Sequence, residues 1–231
     1  MKKKLLVASL LAMAGTGAMA QSKLEGFYAQ AGIGYEAVSP SLSFGNLNVT
    51  NNGAPVASLP FSSSVSNANS FAGTVTAGYN FAVTKEFLLG IGAEYSPIAG
   101  TKANYSGSNA AIGTYTGQYN KENSYNIFIS PAAVIGPDAI AYAKVGFTGA
   151  SFKSQVSGGN SSTDNLTGYS LGLGYKQIIS GGLYGFGEVN YASYSSKTNT
   201  DSASIGTYAV SQTATFKASA TNFLVGVGYK F

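Results

Sequence analysis

Thr221-Asn222-Phe223-Leu224-Val225-Gly226-Val227-Gly228-Tyr229-Lys230-Phe231 closes the chain. Counting back from the end, every second residue is apolar or aromatic: Phe231, Tyr229, Val227, Val225 and Phe223. Between them lie Lys230, Gly228, Gly226, Leu224 and Asn222. Successive side chains of a strand point to opposite faces, so this period of two predicts a strand with one greasy face and one mostly small or polar face. A soluble protein turns such a face inward against a core. Which way it turns here depends on how many such segments the chain holds and on what their other faces carry.

Seven earlier segments repeat the pattern. Their apolar faces begin with Phe27, Ala29, Ala31, Ile33 and Tyr35, then Phe71, Val75, Ala77, Tyr79 and Phe81, then Phe87, Leu89, Ile91, Ala93 and Tyr95. Tyr125, Ile127, Ile129, Ala133 and Ile135 mark a fourth, and Ala141, Ala143, Val145 and Phe147 a fifth. Tyr169, Leu171, Leu173 and Tyr175 mark a sixth, and Val189 and Tyr191 a seventh. The start of the seventh, residues 183–187, is apolar in both registers, so its facing stays open. The connections alternate in length. Residues 83–86, Gly136-Pro137-Asp138 and Ser180-Gly181-Gly182 are tight turns. Residues 37–70, 97–123, 153–167 and 196–214 are long and rich in Ser, Thr and Asn. Within the first, Leu42, Phe44, Leu47 and Val49 ahead of Asn51-Asn52-Gly53 predict a hairpin that continues the flanking strands.

The opposite faces carry Gly, Ser and Thr with about one charge per strand, and only 10% of all residues are charged. A soluble sandwich would place Lys and Glu there. The first residues read as a secretory leader: Met1-Lys2-Lys3-Lys4, an apolar run from Leu5 to Ala14, then Ala18-Met19-Ala20 before Gln21. The expected organisation is a cleaved leader over 1–20 and one domain over 21–231. Three lysines leave with the leader, so the remaining ten lysines face nine acids and give no reason to expect a nucleic-acid partner. Beyond the leader there is no run of 18 apolar residues, so no spanning helix. An exported chain of aromatic, weakly charged alternating strands fits a closed barrel in lipid. The expectation is an all-β fold: an eight-stranded antiparallel transmembrane β-barrel with short periplasmic turns and long extracellular loops.

The chain resembles the small eight-stranded outer-membrane barrels: the OmpX and Ail group, the opacity proteins and the transmembrane domain of OmpA. The resemblance rests on the leader, the eight alternating segments, the rhythm of long and short connections and the terminal Phe231. It implies a monomeric surface protein of the outer membrane, set among lipid and lipopolysaccharide. It also implies help from periplasmic chaperones and the barrel-assembly machinery, which would read the strand Phe223, Val225, Val227, Tyr229 and Phe231. The implied function is structural or adhesive, with an extracellular ligand met by the loops. The alternative it leaves open is a narrow channel for small or hydrophobic solutes, as in OmpW-like barrels.

The chemistry available is limited. No His and no Cys occur. Barrel enzymes of this class generally use a histidine, so Ser and Thr here have no imidazole to activate them and no enzyme is expected. The loop acids Glu122, Asp164 and Asp201 are scattered, so neither metal nor cofactor is expected. The Gly-x-Gly units at Gly32, Gly90, Gly172 and Gly226 sit inside strands, where they leave room for inward rings such as Tyr28 and Tyr142. With odd segments running outward, Glu36 and Glu94 are expected near the external rim and Lys176 and Lys230 near the periplasmic end. Lys144 and Glu188 each follow a periplasmic turn by about five residues, so they are expected to meet across the lumen. Outward aromatics should form two belts: Phe27, Phe81, Phe87 and Phe231 below, Tyr35, Phe71, Tyr95, Tyr125 and Tyr169 above.

Overall fold

The computed structural model describes residues 22–231, so the leader assigned to residues 1–20 lies outside the described residues. Thirteen strands follow in order: β1 (Gly26–Phe44), β2 (Leu47–Asn51), β3 (Ala54–Leu59), β4 (Ser62–Val65), β5 (Ala68–Ala82), β6 (Phe87–Ser96), β7 (Ala103–Asn109), β8 (Gly113–Val134), β9 (Ala139–Val156), β10 (Ser161–Ser180), β11 (Leu183–Tyr194), β12 (Lys197–Ile205) and β13 (Tyr208–Lys230). Eight of them, β1, β5, β6, β8, β9, β10, β11 and β13, pair antiparallel in that order, and β13 returns to β1. The closing pair is long, from Tyr28 opposite Lys230 to Phe44 opposite Ala214. A closed ring satisfies each backbone group with a neighbouring strand, which lipid demands and an open sheet cannot offer.

The polarity is inside-out. Leu173 and Val225 are each 63% exposed, whereas Lys144 is 2% and Glu188 7% exposed. All nine residues of the two expected aromatic belts face outward and are exposed. The facing of β11 is settled by its burial: Tyr184, Phe186, Glu188 and Asn190 point in and Leu183 points out. Inward glycines make the lumen fillable. A Cβ at Gly174 would strike the ring of Tyr142, and one at Gly228 would strike the ring of Tyr184.

The four long connections are largely strand. The first contains the hairpin β2–β3, with Asn52 at φ 49° and Gly53 at φ 82°, the left-handed pair that a two-residue turn requires. The other three look like polar loops in sequence but prove to be extensions of ring strands. β7 pairs with the outer part of β8, β9 and β10 run on to a turn at residues 157–160, and β12 pairs with the outer part of β13. Their outward positions meet water instead of lipid, so Ser, Thr and Asn replace Val and Ile there and the alternation loses its hydrophobic contrast.

Two apolar clusters fill the inside. The periplasmic one holds Leu24, Tyr28, Leu88, Ile140, Tyr142, Tyr184, Phe186 and Leu224. The external one holds Val38, Tyr119, Phe152, Leu166, Tyr194 and Ala220, with Tyr105 and Phe216 packed against it. The register of β8 against β9 slips between Lys121 and Ser124. This bulge exchanges the two faces of β8. Below it the even residues Ser124 and Asn126 point in, and above it the odd residues Tyr119 and Lys121 do.

Candidate functional site

The lumen is built in layers. At the periplasmic mouth, residues Ser22 to Glu25 form a turn, closed by the Glu25 amide donating to the Ser22 carbonyl at 3.0 Å. Leu24 is carried into the mouth, where its carbonyl accepts from Asn80 Nδ2 at 2.8 Å. Lys23 holds the turn to the rim through Asp138 at 2.6 Å. Above lies a layer of aromatic rings. Lys176 Nζ sits 3.7 Å from the ring centre of Tyr28 and 5.2 Å from those of Tyr142 and Tyr184. The faces of these rings supply the negative potential that a buried ammonium lacks elsewhere.

The next layer is ionic. Lys144 Nζ lies 3.0 Å from Glu188 Oε2 and 3.0 Å from Glu94 Oε2, above the ring of Phe128 at 4.5 Å. Glu188 also accepts from the Tyr142 hydroxyl, from Asn190 Nδ2 at 3.1 Å and from Gln30 Nε2 at 3.4 Å. Gln30 in turn accepts from the Tyr184 hydroxyl at 3.1 Å. Higher still, Lys121 Nζ bridges both oxygens of Glu36 at 2.9 and 2.7 Å. Glu36, Glu94 and Glu188 thus stand in equal number with Lys121, Lys144 and Lys176 inside the barrel. Between the two ion pairs a void of about 30 Å³ remains, room for about one water.

Glu94 departs from the sequence expectation. It was expected at the external rim, and instead it completes a three-membered cluster with Lys144 and Glu188. Barrel strands tilt, so residues counted equally from their turns do not lie at equal heights on different strands. Glu36 is at the external side of this cluster, and Lys176 lies in the periplasmic half. Lys230 is half-buried at the periplasmic end, passing over Gly26, and takes part in no ion pair among the described residues. Sequence reasoning missed Lys121. It stands in Asn120-Lys121-Glu122-Asn123, which reads as a solvated loop, and only the bulge turns it into the lumen.

The last strand sits between β1 and β11, with Phe223, Val225, Val227, Tyr229 and Phe231 outward and Leu224 buried. Above the membrane, the extended hairpins enclose a cup of about 590 Å³ lined by Phe44, Tyr105, Tyr115, Tyr119, Phe152 and Phe216, with Asp164 and Asp201 beside them. Burial, with Tyr105 and Asp201 close by, pushes the Tyr115 phenol up to about 12. Lys197 closes one side of the cup by pairing with Asp164 at 2.5 Å.

One solved structure and one family model agree with this architecture. Among solved structures, the chain is similar to the outer membrane protein OprG from Pseudomonas aeruginosa, with 14% identity, 90% of this chain and 96% of that chain covered, and a TM-score of 0.56. It is also similar to Neisserial surface protein A, with 12% identity, coverage of 90% and 98%, and a TM-score of 0.46. A third similarity is to Ail, the attachment invasion locus protein of Yersinia pestis, with 14% identity, coverage of 90% and 99%, and a TM-score of 0.40. No curated protein matches the chain in sequence. The family model described as the outer membrane protein beta-barrel domain matches residues 6–231. With that match across nearly the whole sequence, and a closed ring of lipid-facing strands beneath it, the chain belongs to the outer-membrane protein β-barrel family and resides in the outer membrane.

Proposed function

We infer that this barrel is a non-enzymatic surface protein whose lumen is sealed and whose external hairpins make its working contacts. The observation that carries the reading is the filled interior. A network of buried ion pairs is stacked between an aromatic layer on the periplasmic side and the external apolar cluster. An ion crossing it would have to break buried pairs and pass packed rings, each costly. The hairpins are the part left to meet other molecules, as a contact or adhesion surface. Lipopolysaccharide and lipid are the surroundings the outward face fits, and a single copy suffices, because the ring closes on itself. The strand ending at Phe231 is the element the assembly machinery would read.

The test is single-channel recording of the purified barrel in a planar bilayer. Silence is expected. Reproducible discrete steps would overturn the sealed lumen and favour the alternative, a narrow channel for small or hydrophobic solutes with the aromatic cup as its entrance.

A further inference from the structure

Above the bulge of β8, four strands form an external sheet in the order β4, β7, β8, β9. Its inner face carries Tyr105, Tyr119 and Phe152 toward the cup. Its outer face is different in kind. Asn104, Gln118 and Gln155 stand opposite one another across β7, β8 and β9. In the next row, Ser64, Ser106 and Thr116 do the same across β4, β7 and β8. The rows line a shallow hollow of about 680 Å³, and among the described residues no charged side chain lines it. Gln118 Nε2 donates to Asn104 Oδ1 at 3.1 Å, which fixes the two amides while leaving other donors and acceptors turned to solvent.

We propose that this face is a binding site for an uncharged saccharide. Sugar hydroxyls both donate and accept, and so do amides and hydroxyls, so a grid of them can meet a sugar without an unpaired group on either side. The grid repeats at strand spacing, about 4.8 Å, and presents one polar group per strand in each row. A sulfated or phosphorylated ligand would be left without counter-charge in the hollow itself, because the lining holds no lysine. Two exposed lysines, Lys102 just before β7 and Lys153 two residues before Gln155, stand on the membrane side of the grid, and Lys153 lies 3.9 Å from Glu122.

Height above the membrane points to the source. Gln118 precedes the interfacial Tyr125 by seven residues on the same strand. With the rise of a tilted strand this puts the grid roughly 15 Å beyond the interface. That is where the sugars of the surrounding outer leaflet stand, and a glycolipid reaching the grid would carry its anionic groups past Lys102 and Lys153. A free glycan offers the same hydroxyls without that continuity. The proposal deepens the surface-contact reading, but it does not need the lumen to be sealed, so a conducting barrel would leave it standing.

The experiment uses the full barrel in phospholipid nanodiscs, titrated by calorimetry. The probes are a panel of neutral oligosaccharides of glucose, galactose and N-acetylhexosamine, delipidated lipopolysaccharide core, and dextran sulfate. Binding of at least one neutral probe or of the core is expected, with dextran sulfate weaker. The variant Asn104→Ala/Gln118→Ala/Gln155→Ala should lose affinity roughly tenfold or more, since several exposed hydrogen-bonding groups go at once. Thr116→Tyr, which fills the hollow, should do the same by a different route. Both changes are outward and solvated, and an unchanged heat-modified gel shift checks that the barrel folds. Preference for the core, reduced both by the hollow variants and by Lys102→Gln/Lys153→Gln, assigns the source to the membrane's own glycolipid; preference for a neutral probe assigns it to a free glycan; core binding lost with the lysines but unchanged in the hollow variants would overturn the proposal. No binding by any neutral probe or core, stronger binding of dextran sulfate, or affinity unchanged in both hollow variants would overturn the proposal.

Discussion

Lys144 holds two carboxylates at 3.0 Å each, with Phe128 beneath it. Removing its ammonium leaves Glu94 and Glu188 facing each other in a buried lumen, so Lys144→Met should destabilise the barrel by about 3–5 kcal/mol. Urea unfolding from lipid vesicles measures this. A triple variant that also carries Glu94→Gln and Glu188→Gln should recover most of the loss, because the penalty lies in the uncompensated charges. At this scale the sequence was informative where alternation held. Lys144 and Glu188 could be set facing each other by counting from turns, since both lie on unbroken strands. Glu94 could not be given its height, because tilt is a property of the ring, and Lys121 could not be given its side, because one extra residue between Lys121 and Ser124 changes the parity of the strand.

The external hairpins and the ring strands are continuous, yet their outer parts do not contribute to ring closure in the same way. Among the described residues β12 pairs only with β13, and every residue from Thr198 to Ile205 is exposed. Trimming residues 199–212 to a short turn should therefore leave the ring folded, with its heat-modified gel mobility unchanged. The opposite result is expected at the other end of β13. Deleting Phe231 removes the outward ring that packs on Tyr229 at 5.2 Å, together with an amide that donates to the Phe27 carbonyl at 2.9 Å. Assembly into outer-membrane vesicles should slow several-fold, as followed by the appearance of the folded band. The membrane-crossing parts of these elements were legible because lipid on one side and a packed lumen on the other enforce contrast. The external parts were not, because water outside and Tyr119 or Phe152 inside give a pattern of scattered aromatics among Ser, Thr and Asn. Only the Asn-Gly turn of β2–β3 announced its hairpin.

As a whole, the molecule is two apolar plugs with an ionic layer between them, enclosed by a ring whose rim residues are aromatic. The eight segments and their loop rhythm were sufficient to expect the ring, since few architectures accept that many greasy faces without a second layer to bury them. The plugs were less legible, because their members come from strands distant in sequence and from the turn before β1. Replacing both Tyr184 and Phe186 with Ala should open the periplasmic layer and give small discrete currents where the parent is silent, measured in the same planar bilayers. The turn that carries Leu24 inward has a temporal meaning as well. Leu24 packs among Leu88, Ile140 and Tyr184, from β6, β9 and β11, and Asn80 of β5 grips its carbonyl. That seat does not exist until strands from both halves of the chain have come together. Residues 22–25 should therefore become resistant to an added protease only when the ring is complete, and the time course of their cleavage would serve as a clock that stops at closure.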